Sequence, residues 1–318
     1  MRIGIPRAFL YYHYFALWRV FFTDLGCEVV VSPPTGRSIL ERGLTAAEDE
    51  SCLPVKVAYG HVVALAGKVD YVFLPYMKSV EAKRYLCPKI IGLPDMIAHN
   101  LSGLPPLLRP EVNAYAGPDG AERAYLAVGA QLGFPRERCR EAYRCGAAAQ
   151  QEFRRLVEEG FLPEEAYARL EGREVALPAA PRGAIAVIGH SYLSCDSFVT
   201  MDLVGRLREA GYRVLISDSL PAAEVDRQAE RLSKDMFWSF GRRLMSAGFH
   251  FGTRDDVRGV ILLTAFSCGA DSMVEPFIVH AAAGKPFLNL TVDEHSGEAG
   301  LVTRLEAFLD MIERRWSA

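Results

Sequence analysis

Short apolar runs alternate with helical periods along most of this chain. Residues 2–5 read as a strand, 11–25 as an apolar helix stopped by Gly26, and 28–31 as a second strand. Residues 38–42 are helical in pattern, 52–66 form a helix with Pro54 in its first turn, and 70–74 form a strand. This β-α-β-α-β order implies a parallel sheet with right-handed crossovers. From about residue 105 to 181 Glu, Arg and Ala dominate, with helical periodicity around 121–132 and 139–159, and 178–183 has the composition of a linker. A second α/β series follows: strands at 184–188, 212–216, 259–264 and 286–291, and helices at 199–210, 272–283 and 300–314. The predicted fold class is therefore α/β. An N-terminal lobe (1–105) is joined by a helical connecting segment (106–182) to a C-terminal lobe (183–318). The lobes echo each other in layout, without a sequence repeat or a low-complexity tract.

Composition narrows the class. The 318 residues are comfortable for two ordinary domains. With 50% hydrophobic and 24% charged residues the chain is globular. A net charge of −3 without a basic run speaks against nucleic acid or an anionic membrane as partner. The first residues carry no apolar segment or cleavage signal. The most apolar stretches, such as 259–266, are far shorter than the about 20 residues of a membrane span. A cytoplasmic location is expected.

Seven cysteines, an odd number in a chain of cytosolic character, argue against a disulfide framework. Cys27 enters a strand and reads as a small buried hydrophobe. Cys268 lies beyond a strand end, in Ala265-Phe266-Ser267-Cys268-Gly269-Ala270-Asp271-Ser272, where parallel sheets bind ligands. Asp271 or Ser272 caps the helix that follows, and a thiol facing helix N–H groups favours thiolate. Cys52 heads a helix in Ser51-Cys52-Leu53-Pro54-Val55-Lys56, where N–H groups stabilise a thiolate or an anionic sulfide cluster. Lys56, one turn on, either adds positive charge or is a solvated lysine. Cys87 precedes Pro88, which is expected to keep the backbone out of helix and stiffen a ligand loop. None of these belongs to a Cys-x-x-Cys pair, which disfavours zinc ribbons and ferredoxins. A site built from all three would lie at the domain interface, and three thiolates on a cubane leave one iron open.

Cys139 and Cys145 fall roughly 240° apart around a helix, at ~100° per residue, and share no face. Cys195 follows a strand end and is a further candidate. His190 and His295 both follow strand ends of the second lobe, where ligand contacts gather. Asp196, Glu294 and Arg304 lie nearby in sequence, and His13 packs among aromatic residues. There is no Walker A motif, no Gly-x-Gly-x-x-Gly after either opening strand and no Gly-x-Ser-x-Gly, so ATP hydrolysis, dinucleotide binding and hydrolase chemistry lack support.

Ile3-Gly4-Ile5-Pro6-Arg7, Cys52-Leu53-Pro54-Val55-Lys56 with Gly60-His61, Cys87-Pro88, Gly189-His190-Ser191-Tyr192, Cys268-Gly269-Ala270-Asp271-Ser272 and Asp293-Glu294-His295-Ser296-Gly297-Glu298-Ala299-Gly300 resemble the 2-hydroxyacyl-CoA dehydratase superfamily. More closely they resemble its CoA-substrate-specific, activase-related branch. The resemblance spans most of the chain and is weakest from about 105 to 180. It implies two Rossmann-like (flavodoxin-like) lobes and a [4Fe-4S] cluster held by Cys52, Cys87 and Cys268, in an oxygen-free metabolism. It also implies an ATP-dependent activator with its own cluster, which injects a low-potential electron. In the family's dehydratases that electron reduces the thioester of a 2-hydroxyacyl-CoA to a ketyl radical, hydroxide leaves, a β-proton is lost and the electron returns. Double-cubane relatives carry an [8Fe-9S] cluster, for which Cys139, Cys145 and Cys195 are the spare thiols.

The chain is short for a dehydratase subunit, and those enzymes pair two different subunits. A homo- or heterodimer is therefore expected, with an acyl-CoA as candidate substrate. The readings to separate are a dehydratase-like lyase or low-potential reductase, a non-catalytic electron-transfer partner, and a cluster-free small-molecule binder.

Overall fold

The structure, a computed structural model, describes residues 1–117 and 119–316. The chain divides into two compact units. The first holds residues 1–155, 166–173 and 237–239; the second holds 156–165, 174–236 and 240–318. The helical stretch 106–182 is shared out between them.

In the first unit the order is β1 (Arg2–Ile5), α1 (Tyr11–Asp24), β2 (Glu28–Val31), α2 (Arg37–Ala46), α3 (Leu53–Leu65), β3 (Tyr71–Phe73), β4 (Tyr76–Ser79), α4 (Pro88–Asn100), β5 (Leu107–Leu108), β6 (Glu111–Asn113) and α5 (Asp119–Gln131). Helices α6 (Arg136–Glu158) and α7 (Pro163–Leu170) follow. The main sheet has the order β2-β1-β3-β5, all parallel, and β4 pairs with β6 as a short continuation. Its core is aromatic. Phe22 and Phe73 meet edge to face at 5.0 Å, Trp18 and Phe73 at 5.3 Å, and Phe21 and Tyr125 at 5.2 Å. Trp18 Nε1 donates to Tyr125 Oη at 2.8 Å, so the buried polar tips satisfy each other.

Helices α2 and α3 cross with their backbones nearly touching. A Cβ on Gly43 would stand 1.9 Å from the Lys56 carbonyl oxygen, and one on Gly60 2.0 Å from that of Ile39. Only glycine fits either place.

The second unit continues with β7 (Ala184–Ile188), α8 (Ser191–Ser194), α9 (Leu203–Glu209), β8 (Arg213–Ile216), α10 (Ala222–Ala229), α11 (Ser239–Thr253), β9 (Val257–Ala265), α12 (Gly269–Ala281), β10 (Phe287–Val292) and α13 (Glu298–Trp316). Its sheet, β10-β9-β7-β8, is again all parallel. The central strands β7 and β9 are buried almost throughout, which is why they read as unbroken apolar runs. The core here is aliphatic, with Ala186, Ile188, Val260 and Leu262 at its centre.

Both sheets therefore follow one plan. The first strand lies inside, the second goes to one side, and the third and fourth go to the other. This is the flavodoxin-like order, and its switch point lies between the first and third strands. The α/β reading with two Rossmann-like lobes is correct. Two local expectations change. The helix expected over 199–210 starts only at Leu203, because Met201 and Asp202 adopt left-handed backbone (φ 49° and 57°). Pro88 does not prevent a helix but opens α4, since its ring and missing N–H suit the first helical position. Among the described residues no helix is long and apolar enough to cross a membrane.

Candidate functional site

Each predicted ligand cysteine is the residue that immediately precedes a helix, in extended backbone. Cys52 caps α3 (φ −64°, ψ 151°), Cys87 caps α4 (φ −58°, ψ 138°) and Cys268 caps α12 (φ −82°, ψ 103°). A proline within the first two helical positions (Pro54, Pro88) holds the first two in place. Free N–H groups of the first turn and the helix dipole put positive potential at all three places.

In the first unit α3 and α4 pack together, and Asn100 Nδ2 donates to Tyr59 Oη at 3.0 Å across them. Pro6, Phe73 and Leu74, at the ends of β1 and β3, close a small apolar hollow with Ala58 of α3 and with Ile90 and Leu93 of α4. The two cysteine-headed helices therefore flank the switch point of that sheet. His61 pins α3 there. It is fully buried, its Nδ1 lies 2.9 Å from Ser32 Oγ and its Nε2 3.0 Å from Thr35 Oγ1, and Ser32 Oγ also accepts from Arg7 N at 2.8 Å. Burial first, and Arg7 second, push the His61 pKa down to about 3, so it is a neutral structural imidazole. Cys52 lies nine residues, about 13 Å of helix, beyond this pin on the carboxyl side of the sheet. Lys56 is not a solvated lysine but is 5% exposed, one turn along α3 from Cys52. The buried hydroxyl of Ser51, beside Cys52, has no hydrogen-bond partner among the described residues.

In the second unit the loops after β7, β9 and β10 carry His190, Cys268 and His295 on one carboxyl edge. Strands β7 and β9 are neighbours (Ile188 opposite Leu262), which brings the first two together. Asp271, 2% exposed, links them. Its N–H donates to Cys268 Sγ at 3.4 Å, and its Oδ2 accepts from Ala265 N at 3.2 Å. Its Oδ1, which no donor among the described residues meets in hydrogen-bond geometry, stands 3.0 Å from His190 Nε2. The His190 ring stacks on Tyr192 at 4.8 Å. Ser267, just before Cys268, is held in left-handed backbone (φ 63°). His295 is exposed in a turn that Asp293 and Ser296 fasten: Asp293 Oδ1 accepts from His295 N (3.0 Å) and Ser296 Oγ (2.8 Å). Asp271 stands in the sequence as a helix-capping residue, and nothing there ties it to a histidine 81 positions earlier.

The remaining cysteines have other surroundings. Cys139 packs on Gly129, where a Cβ would stand 2.1 Å from its sulfur, and burial raises its pKa. Cys145 is exposed on the same helix. Burial pushes the Cys195 thiol up to about 12, so it stays protonated.

A cluster ligand set would be thiolate, and the helix-start positions and the unpartnered Ser51 hydroxyl, a donor, fit an anionic group. Cys52 and Cys87 belong to the first unit and Cys268 to the second. Among the described residues no three His, Cys, Asp or Glu side chains are grouped as a metal-ion site.

These features define a flavodoxin-like α/β protein with cysteines at three of its helix starts. Residues 2–220 match the family described as the CoA enzyme activase uncharacterised domain (DUF2229), and the chain belongs to that family. Comparison with curated proteins finds no match. Among solved structures the chain is similar to a Zn(II)-bound mutant variant of AdcAII of Streptococcus pneumoniae, at 12% identity and TM-score 0.30 over 98% of each chain. It is also similar to a mutant Mn-bound periplasmic metal binding protein from candidatus liberibacter asiaticus, at 10% identity and TM-score 0.27 over 99% of each chain. Likeness of that order carries no argument about function.

Proposed function

We propose that this protein is a cluster-bearing component of a low-potential electron-transfer system related to the 2-hydroxyacyl-CoA dehydratases. Cys52, Cys87 and Cys268 would hold one [4Fe-4S] cluster, which an ATP-dependent activator reduces. The observation that carries this reading is that all three cysteines occupy the N-cap position of a helix, in non-helical backbone. When bound, the cluster would supply one-electron chemistry, and its iron without a protein thiolate would be open to a substrate oxygen.

The chain's own residues then have distinct parts. The first turns of α3, α4 and α12 stabilise thiolate charge. Asp271 donates its N–H to Cys268 Sγ, and its Oδ1 stands 3.0 Å from His190 Nε2. His190, stacked on Tyr192, holds or releases a proton at Nε2, the ring nitrogen toward Asp271. His295, exposed on the same edge, is the second candidate for proton handling.

A non-catalytic electron-transfer role is the second reading. It is favoured by the apolar side chains of Phe266 (63% exposed), Met273 and Phe277, which face solvent next to Cys268 and suit a protein partner. Iron and acid-labile sulfide in anaerobically purified and reconstituted protein test the cluster. About four irons per chain are expected, near eight would indicate the double cubane, and colourless protein with intact thiols would refute both.

A further inference from the structure

The first unit contains a cleft, lined by none of the three cysteines, with about 480 Å³ of room. That is within the range of small-molecule sites, roughly 300–1,000 Å³. Its wall is apolar and aromatic: Met77 and Val112 from β4 and β6, Tyr125 from α5, Tyr14 from α1 and Tyr143 from α6. The space exists because small residues line it, Ala121 on α5 and Ala147 on α6 among them.

The polar groups of the cleft divide into used and unused. Gln150 is used: its Nε2 donates to the His13 carbonyl at 2.7 Å and its Oε1 accepts from Leu17 N at 3.4 Å, which fastens α6 to α1. Tyr125 is used, accepting from Trp18. Tyr143 and Gln151 make no side-chain hydrogen bond among the described residues, and burial raises the Tyr143 pKa, so its hydroxyl remains a donor. Arg154 makes no ion pair among the described residues. Its guanidinium lies 5.9 Å from the Tyr14 ring centre at the exposed end of the cleft. The neighbouring Arg155 is clamped to Glu152 by bonds of 2.9 and 2.6 Å, so that carboxylate is already taken.

A guanidinium at the exposed end of an apolar, aromatic cleft matches one ligand chemistry. Arginine pairs its parallel N–H groups with a carboxylate, and the aromatic wall takes an apolar body. We propose that this cleft binds a monocarboxylate with an apolar tail, an alkyl or arylalkyl acid, with its carboxylate on Arg154 and its tail against Met77, Val112, Tyr125 and Tyr143. The proposal is independent of the cluster.

Isothermal titration calorimetry of the full chain with octanoate and with 3-phenylpropionate tests it. Saturable one-to-one binding of at least one acid is expected. Octan-1-ol should bind at least roughly tenfold more weakly, the measure of a lost charged hydrogen bond. Arg154→Met, a substitution at an exposed position, should weaken the acid by about the same factor. Ala147→Phe should abolish binding by filling the cleft, with circular dichroism reporting that the fold survives. Absence of saturable binding for both acids overturns the proposal. So does octan-1-ol binding as well as the acid, or acid affinity unmoved by Arg154→Met.

Discussion

Cys87 and Cys268 occupy the same topological position. Each heads the helix between the third strand of its sheet and the fourth, α4 in one unit and α12 in the other. The surroundings differ. Cys87 is followed by a proline and makes no capping bond, whereas Cys268 receives the Asp271 N–H and follows a left-handed serine. The first unit adds Cys52 at the helix leading into its third strand. The second unit instead adds His190 at the end of its first strand, against Asp271. One strand order thus carries two kinds of equipment: a pair of thiols with a neutral, hydroxyl-bonded histidine as structural pin, and a single thiol with a carboxylate–histidine pair. The cores follow the same division, aromatic in the first unit and aliphatic in the second.

The largest expected difference lies in helix packing. Gly60→Ala in the first unit pushes a methyl into the Ile39 carbonyl, a backbone atom that cannot swing aside, and should cost about 3 kcal/mol or more. Gly259→Ala in the second unit meets the ends of Phe308 and Ile312 at 2.6 and 2.8 Å, which can rotate, and should cost about 1 kcal/mol. Urea unfolding of both variants checks the pair, and equal losses would break the contrast.

Next in size is the titration of His61. Its folded pKa, about 3, lies below the unfolded value, near 6.5, so the unfolded chain binds the extra proton between them. Stability from a neutral His61 is therefore complete above pH 6.5 and falls by about 1.4 kcal/mol per unit as the pH drops toward 3. By pH 4.5 the loss should reach roughly 2–3 kcal/mol. Comparing wild type with His61→Gln at pH 7.5 and 4.5 isolates it; identical pH dependence in both proteins would show that His61 does not contribute.

The smallest effect concerns the turn before Cys268. Ser267→Gly removes the cost of a left-handed non-glycine residue and should raise stability by up to about 1 kcal/mol. Phe9, left-handed in the first unit (φ 45°) but buried, should respond oppositely, because Phe9→Gly also discards apolar burial. Stabilisation by both, or by neither, would remove strain as the distinction. Thermal melts suffice.

Much of this was legible in sequence. Strands such as β7 and β9 are buried on both faces, so their apolar runs were unambiguous. Helix α4 was not, because Pro88, Gly92 and Pro94 look like breakers, although Pro88 merely opens it. Helix α11 was hidden by Gly241, Gly248 and Gly252; the last lets it approach the Ala281 carbonyl, where a Cβ would stand 2.4 Å away. Strands β5 and β6, of two and three residues, are too short to carry any periodicity. Within the candidate site, the helix-start position of Cys52 followed from local pattern alone, whereas Cys268 proves to be the N-cap itself: α12 starts at Gly269, three residues earlier than a cap at Asp271 or Ser272 implies. The Asp271–His190 contact did not follow from local pattern, since it depends on β9 lying beside β7, a fact of strand order rather than of spacing. The burial of Lys56 was also unreadable, because lysine is usually solvated.

The central proposal is that the three helix-start cysteines, and not the others, hold one cluster. Iron content of anaerobically reconstituted wild type, Cys52→Ser, Cys87→Ser, Cys268→Ser and the exposed control Cys145→Ser tests it most directly. The account predicts about four irons in wild type and in the control, and loss of at least half in each of the three capping variants, with circular dichroism unchanged. Iron unchanged in those three variants, or absent from wild type with its thiols intact, would contradict it.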